Sequence, residues 1–317
     1  MKLLITRCLP ERVVAAARAE FDVSHRDSPL PMDIDETVAA LTGYDLVLPT
    51  LGDPFRAEAF DRAGVPRAKL LANFGVGFNH IDVAAAKAAG VAVTNTPGTV
   101  TDATADIAMT LILMSARRAA EGERLVRAGR WTGWHPTQML GLHVSGKVLG
   151  VVGMGRIGKA IAKRAQAGFG MEVVFFNRSP VAEPGVPARQ LETLAEVMAA
   201  ADIVVVAVPG GPATHHLIDA AALAAMRPHA HLVNIARGDV VDEAALIAAL
   251  EAGRIGGAGL DVYEFEPKVP QALIARDDVT LLPHLGTAAL EVREAMGMMA
   301  VDNLLAFKRG APLPNPV

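Results

Sequence analysis

The chain carries a single cysteine, Cys8, so it forms no internal disulfide, a usage that fits a reducing compartment. It has no basic excess: 30 Lys and Arg stand against 34 Asp and Glu, and the pI is about 6.1. Nucleic acid and anionic membrane surfaces are therefore poor partners. Long apolar runs are missing too. The longest, residues 107–116, falls far short of the roughly 20 residues that span a bilayer and reads as a buried helix. The opening MKLLITRCLPERV regains charge at Arg7, Glu11 and Arg12, unlike a signal peptide. There is no low-complexity tail and no short repeat. The expectation is a cytoplasmic protein. Its 317 residues, 51% of them hydrophobic, suffice for two domains.

What is present centres on residues 147–159, KVLGVVGMGRIGK. An apolar run (Val148, Leu149, Val151, Val152) enters a turn spaced G-x-G-x-x-G at Gly153, Gly155 and Gly158, and a helical pattern leaves it. Gly153 permits the sharp turn, Gly155 lets a pyrophosphate reach the backbone, and Gly158 allows the helix to pack on the strand. The free amides at the helix start face the anion. The spacing alone is weak evidence; the flanking strand and helix, and a second strand from Met171 to Phe176, make it a dinucleotide site.

Residues 1 to about 95 alternate strand and helix patterns, with strands at Lys2–Thr6, Phe21–Ser24, Tyr44–Leu48, Leu70–Phe74 and Val91–Thr94. Repeated βα units imply a mostly parallel sheet covered by helices. Thr96-Pro97-Gly98 marks a boundary. Thr101–Glu121 is the longest helical pattern, followed by Glu121–Ala128 and the loop RWTGWHP, which holds the only tryptophans, Trp131 and Trp134. From Val148 to Pro283 the βαβ pattern resumes as a doubly wound sheet. A last helical pattern, Ala288–Arg309, follows the completed second sheet. It is expected to return to the first domain, so the second domain is inserted, with crossings near Pro97 and Gly286.

The end of the second strand of such a domain reads the adenosine ribose, where an acid favours NAD. Here it reads Phe176-Asn177-Arg178-Ser179, with no carboxylate. Arg178 suits a 2′-phosphate, and Asn177 and Ser179 add neutral donors, which indicates NADP(H). The alternative is a solvated Arg178 and an enzyme that takes either cofactor.

Three charged features close later strands: Arg237 in LVNIARG, Asp261 and Glu266 in DVYEFEP, and His284 in LLPHLG. Ligands bind beyond the carboxyl ends of strands in open α/β sheets. Singly, each residue reads as surface or structure. Together they supply what reduction of a 2-keto acid needs. A histidine gives the proton, a neighbouring carboxylate favours the imidazolium, and an arginine binds the carboxylate and polarises the carbonyl.

The stretches FGVGFNHID, NTPGTVTDATADIAM, VVGMGRIGKAIAKR, LVNIARGDVVDEAAL, GAGLDVYEFEP and LLPHLG resemble the D-isomer-specific 2-hydroxyacid dehydrogenase family over essentially the whole chain. Within it, TDATAD, WTGWHP and YEFEPKVP look most like NADP-dependent glyoxylate/hydroxypyruvate reductases. The resemblance implies an α/β fold of two doubly wound parallel-sheet domains. A Rossmann cofactor domain (98–286) is inserted into a flavodoxin-like substrate domain (1–97 and 287–317). It implies a catalytic triad of Arg237, Glu266 and His284, with Glu266 bonded to His284 and Asp261 supporting the site. Cofactor contacts are implied at Gly153, Gly155, Arg156, Ile157, Gly158, Asn177, Arg178, Ser179, Val208, Pro209, Thr214, Ile235, Ala236, Asp261, His284, Gly286 and Thr104. Substrate contacts are implied at the backbone of Val76 and Gly77, at Arg237 and His284, and at Leu51 and Trp134. The family is generally dimeric through the region after Thr99, and Trp134 is the candidate to reach the partner's site. No metal is implied. NAD(H) at lower efficiency, a broader 2-keto acid range, another family activity, and a non-catalytic NAD(P)-sensing protein remain as rivals.

Overall fold

The computed structural model describes every residue from Met1 to Val317. The chain divides into two compact units, Met1–Val100 with Ala288–Val317, and Thr101–Thr287. The first crossing falls at Thr101 because the helix that begins there packs on strands of the second sheet.

The first unit is built from β1 (Lys2–Ile5), α1 (Glu11–Arg18), β2 (Asp22–His25), α2 (Ile34–Gly43), β3 (Leu46–Leu48), α3 (Ala57–Ala63), β4 (Leu70–Ala72), α4 (Val83–Ala88) and β5 (Ala92–Thr94). All five strands are parallel, in the order β2-β1-β3-β4-β5, the flavodoxin-like order. All three residues of β3 and all three of β4 are buried, as expected for strands covered on both faces. One face packs against α2, α3 and α4 through Leu41, Phe55, Phe60 and Leu71. The other packs against α1 and the last helix through Leu3, Val13, Leu46 and Leu304.

The second unit runs α5 (Thr101–Ala116), α6 (Ala119–Arg127), β6 (Val148–Val152), α7 (Arg156–Phe169), β7 (Glu172–Phe176), β8 (Arg189–Gln190), α8 (Leu194–Ala200), β9 (Ile203–Val206), α9 (Ala220–Ala225), β10 (His231–Asn234), α10 (Glu243–Glu251), β11 (Gly257–Leu260), α11 (Gln271–Ile274) and β12 (Val279–Leu281). Its seven parallel strands lie in the order β12-β11-β10-β9-β6-β7-β8. The chain winds outward from β6 to β8, then starts again at β9 on the other side, so the switch point lies between β6 and β9. α5 and α7 cover one face, and α8, α9 and α10 the other.

The long pattern expected over Thr101–Glu121 is two helices. α5 stops at Ala116, Arg118 adopts a left-handed φ of 52°, and the Ala116 carbonyl takes the Leu142 amide at 2.7 Å. The longest helix is instead α12 (Leu290–Lys308), which packs on α1 and β4 of the first unit. α8 begins at Leu194 because Thr193 and Glu196 form a reciprocal capping box there. The two-residue β8 carried no periodic signal and was not expected.

Candidate active site

Six strands of the second sheet, β6, β7, β9, β10, β11 and β12, lead into the residues of interest. β6 runs directly into the glycine turn. Gly153 has φ 100°, and a Cβ there would lie 2.8 Å from the Ala207 carbonyl oxygen beyond β9. At Gly158 a Cβ would overlap the Gly153 oxygen at 2.2 Å, whereas at Gly155 it would meet nothing within 4 Å. Gly153 and Gly158 are therefore required by the fold, and Gly155 keeps space open at the start of α7. The first amides of that helix, at Arg156 and Ile157, have no protein acceptor. An open, amide-lined helix N-terminus of this kind fits a dinucleotide pyrophosphate. Across the switch point Val208 is half-buried, Pro209 exposed, and Thr214 donates to the Pro209 carbonyl at 2.7 Å, closing the loop after β9.

After β7, Asn177 Nδ2 donates to the Ser179 carbonyl at 2.9 Å. Gln190 on β8 donates to the Asn177 and Ser179 carbonyls, both at 3.2 Å. This fixes the turn and leaves Arg178 and Ser179 exposed. Gln190 is a supporting residue that no sequence pattern announced.

β10 ends at Asn234, which is almost fully buried. Its Oδ1 accepts the Ala236 amide at 3.0 Å and its Nδ2 donates to the Arg237 carbonyl at 2.9 Å. The turn Ile235-Ala236-Arg237 is thus set by one side chain. A polar residue closing an otherwise buried strand was the signal for it. Arg237 is half-buried; its Nη1 donates to the Ala236 carbonyl and its buried Nε has no protein acceptor. Burial draws the guanidinium down from its ordinary value, opposed by the charges of Glu266 and Asp239. A half-buried guanidinium with donors to spare fits an incoming carboxylate or carbonyl oxygen.

Gly238 brings this turn against the next one. A Cβ there would lie 1.8 Å from the Tyr263 carbonyl carbon, so only glycine allows the two backbones to touch. Beyond β11, Asp261 is buried and accepts the Leu285 amide at 2.6 Å and the Gly286 amide at 2.8 Å. Burial raises its pKa against those two bonds and the charge of His284. The His284 amide donates to the Asp261 carbonyl at 2.9 Å, and Thr104 of α5 donates to the Gly286 carbonyl at 3.1 Å. This framework holds His284 at a left-handed φ of 55°.

Glu266 Oε2 lies 2.9 Å from His284 Nδ1, and its Oε1 accepts the Tyr263 amide at 3.1 Å. Burial alone would raise the Glu266 pKa. The bond to His284, the Tyr263 amide and the charge of Arg237 outweigh it and hold the carboxylate below its usual range. With Nδ1 so engaged, Nε2 is the histidine atom left for a substrate. Arg237, Asp261, Glu266 and His284 thus converge at the carboxyl ends of three neighbouring strands.

Three expected contact residues belong to the first unit. Leu51 is exposed on the loop after β3, and Val76 and Gly77 are half-buried on the loop after β4. Trp134 is 79% exposed on the loop after α6. No helix is long and apolar enough to cross a membrane.

Residues 109–286 match the profile of the D-isomer specific 2-hydroxyacid dehydrogenase, NAD binding domain. The glyoxylate reductase of Thermococcus onnurineus (strain NA1) is 42% identical over 322 residues, covering all of this chain and 95% of that one. The glycerate dehydrogenase of Hyphomicrobium methylovorum is 39% identical, covering 98% of this chain and 97% of that one. The crystal structure of an NADPH-dependent glyoxylate/hydroxypyruvate reductase from Sinorhizobium meliloti, in complex with NADP and malonate, superposes with a TM-score of 0.89. It is 35% identical and covers 100% of this chain and 96% of that one. The chain is an oxidoreductase belonging to the D-isomer-specific 2-hydroxyacid dehydrogenase family.

Proposed function

We propose that the protein reduces a small 2-keto acid, of the glyoxylate and hydroxypyruvate type, to the D-2-hydroxy acid with NADPH. The observation that carries this reading is the Glu266–His284 pair at 2.9 Å, with the unpaired Nε of Arg237 beside it in the sheet. A reduced nicotinamide, when bound, supplies the hydride. The protein's own groups do the rest. Arg237 holds the substrate carboxylate and polarises the keto oxygen. His284 keeps its proton on Nε2 and delivers it to the oxygen that becomes the hydroxyl. Glu266 holds Nδ1–H and stabilises the imidazolium. Asp261 fixes the loop from which His284 projects.

The preference for NADPH rests on the exposed, unpaired Arg178 and the missing acid at Asn177. The first unit is read as the substrate domain, contributing Val76, Gly77 and Leu51. The protein is further read as a homodimer. α6 has no buried residue, and Val126, Trp131, Trp134 and Leu140 are all more than half exposed, an apolar surface that a second copy would cover. Light scattering on the purified protein tests that point; a monomer refutes it.

The functional test mixes glyoxylate, hydroxypyruvate and larger 2-keto acids with NADPH and NADH and follows nicotinamide absorbance. Fastest turnover with NADPH and a small keto acid is expected. Cofactor binding without turnover of any keto acid would make the protein a sensor and overturn the proposal.

A further inference from the structure

The loop after β4 has an unusual balance of donors and acceptors. Three consecutive carbonyls, Gly75, Val76 and Gly77, are all tied back into the first unit. The Gly75 oxygen accepts from Asn73 Nδ2 and from the Thr96 amide, both at 3.0 Å. The Val76 oxygen accepts from Asn95 Nδ2 at 2.9 Å, and the Gly77 oxygen from Asn73 Nδ2 at 3.1 Å.

A trans peptide points its N–H opposite to its C=O. Tying back those carbonyls therefore turns the N–H groups of Val76, Gly77 and Phe78 the other way. None of the three donates to a protein acceptor. Unpaired backbone donors are rarely left together by chance, and successive free amides form a concavity suited to an anion.

Two side chains impose this. Asn73 is almost fully buried, and only its amide nitrogen is used; its Oδ1 is buried without a partner. That desolvation cost is tolerated, so the donating end is what the position requires. Asn95 is held through its own backbone. Its amide donates to the Asn315 carbonyl at 3.1 Å, and Asn315 exchanges two 3.1 Å bonds with the buried Asn303 of α12.

We propose that Asn73 and Asn95 are positioning residues that aim the amides of Val76, Gly77 and Phe78 into a three-donor cradle for the carboxylate of the substrate. This rests on the functional reading above. Neither side chain touches substrate; each acts by holding carbonyls.

The test uses the full-length protein and oxalate, a planar carboxylate probe that undergoes no turnover. In ¹H–¹⁵N spectra of the native protein, oxalate is expected to shift the Val76, Gly77 and Phe78 amides. Asn73→Asp, which keeps shape but removes the donor, and Asn95→Ala are expected to raise KM for the keto acid about 10- to 100-fold, the loss of one or two charge-assisted bonds. Their cofactor Kd should stay native, a split that general unfolding would not give. Unmoved native amides overturn the cradle whether or not the variants fold. Native KM in folded variants overturns the role of the asparagines. Amides that respond in a protein that reduces no keto acid would leave the cradle standing and sink the functional reading alone.

Discussion

Glu266 engages both its oxygens: Oε2 meets His284 Nδ1 at 2.9 Å, and Oε1 takes the Tyr263 amide at 3.1 Å. The carboxylate is therefore fixed in place before it acts on the imidazole, and its low pKa keeps it charged across the neutral range. His284→Gln should lower kcat by about 10²- to 10⁴-fold, the usual worth of a general acid. Glu266→Gln keeps the shape but removes the charged acceptor that holds His284 Nδ1, so kcat should fall about 10-fold or more while cofactor Kd stays native. Native kcat in a folded variant would reduce Glu266 to a structural residue.

The glycines of the turn after β6 separate by function. Gly158→Ala drives a Cβ into the Gly153 oxygen and should cost about 1–3 kcal/mol of stability, seen as a lower denaturation midpoint. Gly155→Ala meets no protein atom, so the midpoint should hold while cofactor affinity falls. Loss of stability in both variants to the same extent would contradict this division.

Arg178 offers an unpaired guanidinium beside Asn177. Arg178→Asp should cut kcat/KM with NADPH by about 10- to 100-fold, the worth of a charge-assisted phosphate contact, and change that with NADH little. An equal loss with both cofactors would remove Arg178 from 2′-phosphate recognition.

Away from the site, His231 at the start of β10 is buried and accepts or donates a 2.8 Å bond with Ser115 of α5. Burial, aided by the charge of His229, depresses its pKa to about 4. The unfolded chain takes up this proton near pH 6.5 and the native protein does not until about 4. Stability is thus present above the unfolded value and is lost as pH falls through that window, by about 3 kcal/mol. Urea titrations at stepped pH should show this loss in the native protein and a shallower one in His231→Gln.

The glycine turn, the strand-end charges and most βα units were legible because each rests on local chemistry: a turn that only glycine permits, or an apolar run buried on both faces. Helix starts were less so. Leu191 and Thr193 both suit the start of α8, and only the reciprocal bonds of Thr193 and Glu196 decide between them. The break after Ala116 was invisible because it depends on a distant amide, that of Leu142, reaching the Ala116 carbonyl. Asn73, Gln190 and Asn234 were missed for a related reason. Each holds backbone groups rather than a ligand, and a lone amide side chain gives no pattern until its partners are in place.

The touching backbones at Gly238 and Tyr263 bind the Arg237 turn to the loop that carries Glu266. A substitution that re-aimed one would drag the other, so the reacting end of this protein changes as a block or not at all.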